Sequence, residues 1–181
     1  MRAIAVVGVL IALGGCVTAS TPEAGDWKIQ RGYDRILGKP TGFAQVMARS
    51  RNAELAGPRY VLQLGALELT CFDNAPVVRF EFNQRIGSNR TSVLSYRFDE
   101  NPGRDTQARF LATFKIAVIE DPKEVAQFVD QLRISSKLYV RVVSHIAGIT
   151  TVEFPVKGAP AAIDAAFQNC PIDAASKPRS A

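Results

Sequence analysis

The segment "YVLQLGALELTCFDNAPVVRFEFNQ", Tyr60 to Gln84, decides the fold class. Its first half sets Leu67, Leu69 and Cys71 at alternate positions. Its second half sets Val78, Phe80 and Phe82 against Val77, Arg79 and Glu81. A period of two is that of a strand with one buried face. "TSVLSYRFD" repeats the pattern, with Leu94, Tyr96 and Phe98 opposed to Val93, Ser95 and Arg97, and the intervening "RIGSN" reads as a Gly-containing connection of hairpin length. "ARFLATFKIAVIE" continues the alternation through Phe110, Ala112, Phe114, Ile116 and Val118. Four successive strands of this kind predict an antiparallel sheet.

Beyond them the period changes. Asp121-Pro122-Lys123-Glu124 supplies an Asp cap, a proline at the first helical position and a Glu three residues after the cap, the marks of a helix start. Val125, Phe128, Val129 and Leu132 then form one apolar stripe. "KLYVRVVSHI" returns to strand composition, with "TTVEFPV" after Gly148 as its hairpin partner. Gly158-Ala159-Pro160 opens a second helix, "AAIDAAFQNC", carrying Ile163, Ala166, Phe167 and Cys170 on one face. On the N-terminal side, Trp27-Lys28-Ile29 reads as a short strand and "GFAQVMARS", Gly42 to Ser50, as a helix with Phe43, Val46 and Met47 together; Trp27 and Phe43 are expected to be at least partly buried. The expected fold is α+β: an antiparallel sheet or β-sandwich covered by two helices, with one disulfide.

The N-terminus carries a different signal. Met1-Arg2 is followed by an apolar run from Ala3 to Leu13 and by the small residues Gly14-Gly15, the three-part plan of a secretory signal. The run is far short of the roughly 20 apolar residues that a membrane-spanning helix needs. Leu13-Gly14-Gly15-Cys16 resembles the bacterial lipobox. That resemblance implies that the Cys16 sulfur receives a diacylglyceryl group, that cleavage falls just before it, and that the new amino group is acylated, which gives durable anchoring. The alternative is an ordinary signal peptide with an incidental cysteine. Val17, not Asp, follows the cysteine, so the expected location is the outer membrane, facing the periplasm. The expected division is a signal peptide over residues 1–15, a lipidated N-terminus and tether over 16–26, one globular α+β domain over 27–172 and a disordered tail over 173–181.

With Cys16 assigned to lipid, Cys71 and Cys170 remain as an even pair in an oxidising compartment, and a disulfide is the expectation. The helical spacing that turns Cys170 toward Phe167's buried face makes a bridge to inward-facing Cys71 geometrically reasonable. A two-thiol redox or metal site is the alternative, without a C-x-x-C spacing or a neighbouring His to favour it.

Little else in the chain speaks of catalysis. His145 is the single histidine, which excludes a multi-histidine metal site and leaves a surface or rim residue as the plain reading. Neither G-x-S-x-G nor a phosphate-cradling glycine loop occurs. The pairs Asp99-Glu100 and Glu120-Asp121 have the residue types of glycosidase carboxylates; a turn in "ENPG" and helix capping account for them. No cofactor or metal is expected, and the expected protein is not an enzyme. The formal charge of +5, about +4 once Arg2 is removed, suits anionic headgroups or an acidic partner and is too weak to argue for nucleic acid. Arg79, Arg97 and Arg109 are expected on the polar face of adjacent strands, with Glu81 and Asp99 as neutralising neighbours; as a dedicated anion-binding or partner face they form the alternative.

The stretches "WKIQRGYD", "LELTCF", "SYRFDENP", "FVDQLRISSKLYVRV", "VEFPVKG" and "AIDAAFQNC" are similar in order and spacing to the VasI family of type VI secretion-associated envelope proteins. The resemblance spans residues 27–170 and implies a non-enzymatic envelope accessory domain, with no catalytic residues to transfer. The functional expectation is a lipid-anchored periplasmic accessory or binding protein engaging an envelope protein complex. Two alternatives stand beside it: a binder of an anionic envelope ligand, and an inhibitor or exclusion lipoprotein against a hydrolase or phage that uses the loop "DENPGRD", Asp99 to Asp105.

Overall fold

A computed structural model of the chain describes residues 25–36, 38–48, 65–83, 85–86, 91–111, 113–144 and 148–172. The lipobox with Cys16 and the lone His145 lie outside these residues. Nine strands and two helices follow in the order β1 (Lys28–Asp34), β2 (Lys39–Met47), β3 (Gly65–Phe72), β4 (Ala75–Phe82), β5 (Thr91–Phe98), β6 (Arg104–Phe110), β7 (Ile116–Ile119), α1 (Pro122–Ile134), β8 (Lys137–Ser144), β9 (Gly148–Pro155) and α2 (Ala159–Ala166). All nine strands join one sheet in the order β1-β2-β3-β4-β7-β6-β5-β8-β9. Every neighbouring pair is antiparallel. This is the single-sheet form of the expected α+β fold, and its one disulfide joins Cys71 to Cys170 across 99 positions.

The deciding segment folds as β3 and β4 around Asp73-Asn74, both at positive φ (50° and 58°), with Phe72 paired to Ala75. Two central residues of that kind match the twist of the flanking strands. The next connection departs from expectation. "RIGSN" does not close a hairpin, because β7 takes the second edge of β4. The amide N–H groups of Phe82 and Ile86 donate to the carbonyls of Lys115 and Phe114, which extends that contact past the end of β4. With both edges of β4 used, β5 pairs with β6 and β8 instead. Alternation records which face a residue takes and is silent about the neighbour.

"ARFLATFKIAVIE" is likewise two strands. The Phe114 N–H bonds to the Leu111 carbonyl in the turn between β6 and β7, and Arg109 pairs with Val118, Phe110 with Ala117. The turn reverses the parity, so Ala117 and Ile119 enter the core while Ile116 and Val118 go to the other face. "GFAQVMARS" is also corrected, from helix to strand: Ala44, Val46 and Ala48 are the buried set, and Met47 is exposed. Short apolar runs fit either period. Here pairing with β1 and β3 on both sides decides it. Gly42 then permits close approach of α2, since a Cβ there would lie 1.9 Å from the Ala165 carbonyl oxygen.

Both helices cover one face. Asp121 caps α1, its Oδ1 accepting from the Lys123 and Glu124 amides at 3.0 Å each, and Val125, Phe128, Val129 and Leu132 point inward. Phe128 is the hub of the core, 5.0 Å from Phe98, 5.2 Å from Tyr96 and 5.9 Å from Phe80 between ring centroids. The sheet curls around α1. Phe154 of β9 reaches within 6.1 Å of Phe80 on β4 although four strands separate them in the sheet. Where the two edges approach, the Trp27 indole N–H donates to the Val156 carbonyl at 3.2 Å. The second helix is shorter than its spacing suggested, ending at Ala166. Cys170 reaches Cys71 from the turn beyond it, where the Cys170 amide bonds to the Phe167 carbonyl.

Candidate functional site: the outer face of the sheet

The face away from the helices has no helix over it among the described residues. Its composition follows from register. One cross-strand row runs Lys28, Gln45, Glu68, Arg79, Val118, Arg109, because each is the direct partner of the next. Arg79 and Arg109 therefore flank Val118, which is buried, as are Glu68 and Val77 on the same face. Arg97 shares this face but lies at the other end of β5, beside Tyr139. The three arginines thus divide into a pair and an outlier.

Each guanidinium already has a carboxylate, and none of the partners is Glu81 or Asp99. Arg79 Nη1 donates to Glu68 Oε1 at 2.5 Å, Arg109 grips Glu120 through Nε and Nη2 at 2.8 and 2.7 Å, and Arg97 stands 3.8 Å from Glu100 while stacking over Tyr139 at 4.9 Å. Asp99 serves the backbone instead, accepting from the Ser136 and Lys137 amides where α1 hands over to β8. The "DENPGRD" loop thus opens on a residue with a packing role. Glu120 is held below the usual carboxylate range by its hydrogen bonds to Arg109. Glu68 is pushed the opposite way: burial raises its pKa, Arg79 offsets part of this, and the like charge of Glu81 adds to it.

That pair yields a prediction. Arg79→Ala leaves a buried carboxylate without its cation, a change expected to cost on the order of 2 kcal/mol at neutral pH. With a native pKa above the unfolded one, Glu68 binds its proton more readily in the folded state. The variant should therefore regain stability as pH falls from neutral toward the unfolded carboxylate value. Urea unfolding at neutral and mildly acidic pH checks this; an equal deficit at both would show that Glu68 is not the cause.

A second row on the same face is apolar. The register that pairs Leu94 with Val142 sets Val93 beside Val143, and Val143 pairs with Ile149. These three are 45%, 59% and 67% exposed, and Gln107 completes the row on β6. Sequence reading missed it because the three residues come from three strands whose order was not known. Among the described residues there is no group of three or more His, Cys, Asp or Glu side chains placed to hold a metal. No described helix is long and apolar enough to cross a membrane.

No family model matches the sequence, and no curated protein matches it. Among solved structures, the chain is similar to invasion-associated protein B from Bartonella henselae, with 16% identity, a TM-score of 0.49, and coverage of 80% of this chain and 93% of that one.

Proposed function

We propose that this chain is a lipid-anchored accessory domain of a bacterial envelope that binds an envelope protein through the outer face of its sheet. The observation that carries the reading is the Val93, Val143, Ile149 row, a contiguous apolar strip on a sheet face that no described helix covers. Exposed strips of this kind mark interaction surfaces. The lipobox supports the envelope location, and the similarity to the VasI family supports a secretion-associated setting. Pairing of Arg79, Arg97 and Arg109 with carboxylates favours a protein partner over an anionic ligand, since an anion would have to displace Glu68 or Glu120.

The test compares cross-linked membranes carrying the wild-type chain with membranes carrying Val143→Asp/Ile149→Asp. Because Val143 and Ile149 face each other across β8 and β9, the two aspartates cost some stability, and urea unfolding of the variant establishes that it is folded before recovery is compared. A protein recovered with the wild type and lost with the variant supports the proposal; the same proteins recovered with both removes the strip as the binding surface.

A further inference from the structure

The hairpin joining β1 to β2 combines features that a defended sheet edge does not need. β1 is an edge strand, and Lys28 and Arg31 on it are ordinary guards against pairing with another sheet. Edge defence does not account for Ile36 at 94% exposure or Tyr33 at 63%, both at the hairpin tip. Asp34 pairs with Lys39 in the β1–β2 ladder, the Asp34 carboxylate accepts the Ile36 amide at 2.8 Å, and Gly38 turns the chain at φ +63°. The Tyr33 hydroxyl lies 3.7 Å from where a Gly38 Cβ would be, so the ring lies across the tip. The exposed cations Arg31, Arg35 and Lys39 stand within three residues of this apolar pair in the same hairpin. Among the described residues following α2, Gln168 and Asn169 donate to the carbonyls of Thr41 and Pro40. The hairpin continues past those contacts.

We infer that this tip is a membrane-contact element that seats Ile36 and Tyr33 at the headgroup level of an anionic bilayer, with Arg31, Arg35 and Lys39 on the lipid phosphates. An exposed apolar residue and an interfacial tyrosine in a hairpin tip that also carries three cations is a combination that a lipid surface recognises. The inference rests on the lipid-anchor reading, and chain length agrees with it. The twelve steps from Cys16 to Lys28 span up to about 40 Å when extended, while β1 carries the tip only about 20 Å from Lys28. One bilayer can hold the anchor and meet the tip.

The test uses the full chain, reconstituted by its own lipid into phosphatidylethanolamine–phosphatidylglycerol vesicles and into phosphatidylcholine vesicles. An environment-sensitive fluorophore is attached through Ile36→Cys, or through Ile134→Cys on the similarly exposed end of α1. With Cys16 acylated and Cys71 bridged to Cys170, the introduced thiol is the one free to react. The expected result is a blue shift and quenching by lipid-borne nitroxide at position 36, on anionic vesicles and not at position 134. Exchanging Arg31, Arg35 and Lys39 for Gln should lower insertion roughly fivefold per charge. A probe at 36 that stays in water on anionic vesicles, or that responds the same with and without the three cations, overturns the inference. A probe shielded only on native membranes overturns it in favour of a protein occupant. Vesicle flotation reports the anchor separately: protein that fails to float refutes the lipid-anchor reading, whereas protein that floats with an aqueous tip refutes the tip alone.

Discussion

Exchanging Cys71 and Cys170 together for alanine is expected to lower the unfolding free energy by about 4 to 5 kcal/mol, and the melting temperature by roughly 10 to 18 °C. The size follows from the loop. Because 99 positions separate the two cysteines, the bridge closes a long loop in the unfolded chain, and in the chain-entropy model the stabilisation from that restraint grows with the logarithm of loop length. The bridge also ties the end of β3 to the turn after α2. Without it, that turn is held by the Gln168 and Asn169 side chains on the carbonyls of Thr41 and Pro40 and by the apolar face of α2. Thermal unfolding of the oxidised, reduced and doubly substituted proteins would measure the effect. A loss under about 1 kcal/mol would mean that the reduced unfolded chain is already compact enough to make the tether redundant.

Phe128→Ala should be nearly as severe, about 3 to 5 kcal/mol. Its ring meets those of Phe80, Tyr96 and Phe98, which come from β4 and β5. Those strands are not neighbours in the sheet, so no single backbone shift can close the space left behind. Phe128→Leu keeps most of the volume and should cost under about 1.5 kcal/mol. Urea unfolding of both variants checks the pair; equal losses would show that the aromatic contacts, not the filled volume, hold the core.

Both predictions concern parts of the molecule that the sequence made legible. The start of α1 was readable because capping is local: Asp121, Pro122 and the stripe from Val125 to Leu132 act within a few turns of chain. The disulfide was readable because lipidation of Cys16 would leave two cysteines. Strand order was not readable, since nothing local in "TSVLSYRFD" says that it pairs with "KLYVRVVSHI" rather than with "PVVRFEFNQ". The parity change at Phe114 hid for a related reason, an alternating pattern running through a turn without a break. The outer face was half legible. Its arginines were identified, but their partners depend on register. One signal did exist, because taking Asp73-Asn74 as a two-residue turn pairs Glu68 with Arg79. The apolar strip of Val93, Val143 and Ile149 had no such signal, because it comes into being only when β5, β8 and β9 lie side by side.

The bond from Trp27 to the Val156 carbonyl has a mechanical meaning. Trp27 is the first buried residue of the described chain, so tension arriving along the N-terminal segment meets it before reaching β1. Its indole grips the backbone just past β9, at the opposite edge of the sheet. A load drawn from the N-terminus is therefore shared between the first strand and the last, and peeling β1 away requires Trp27 to be extracted first.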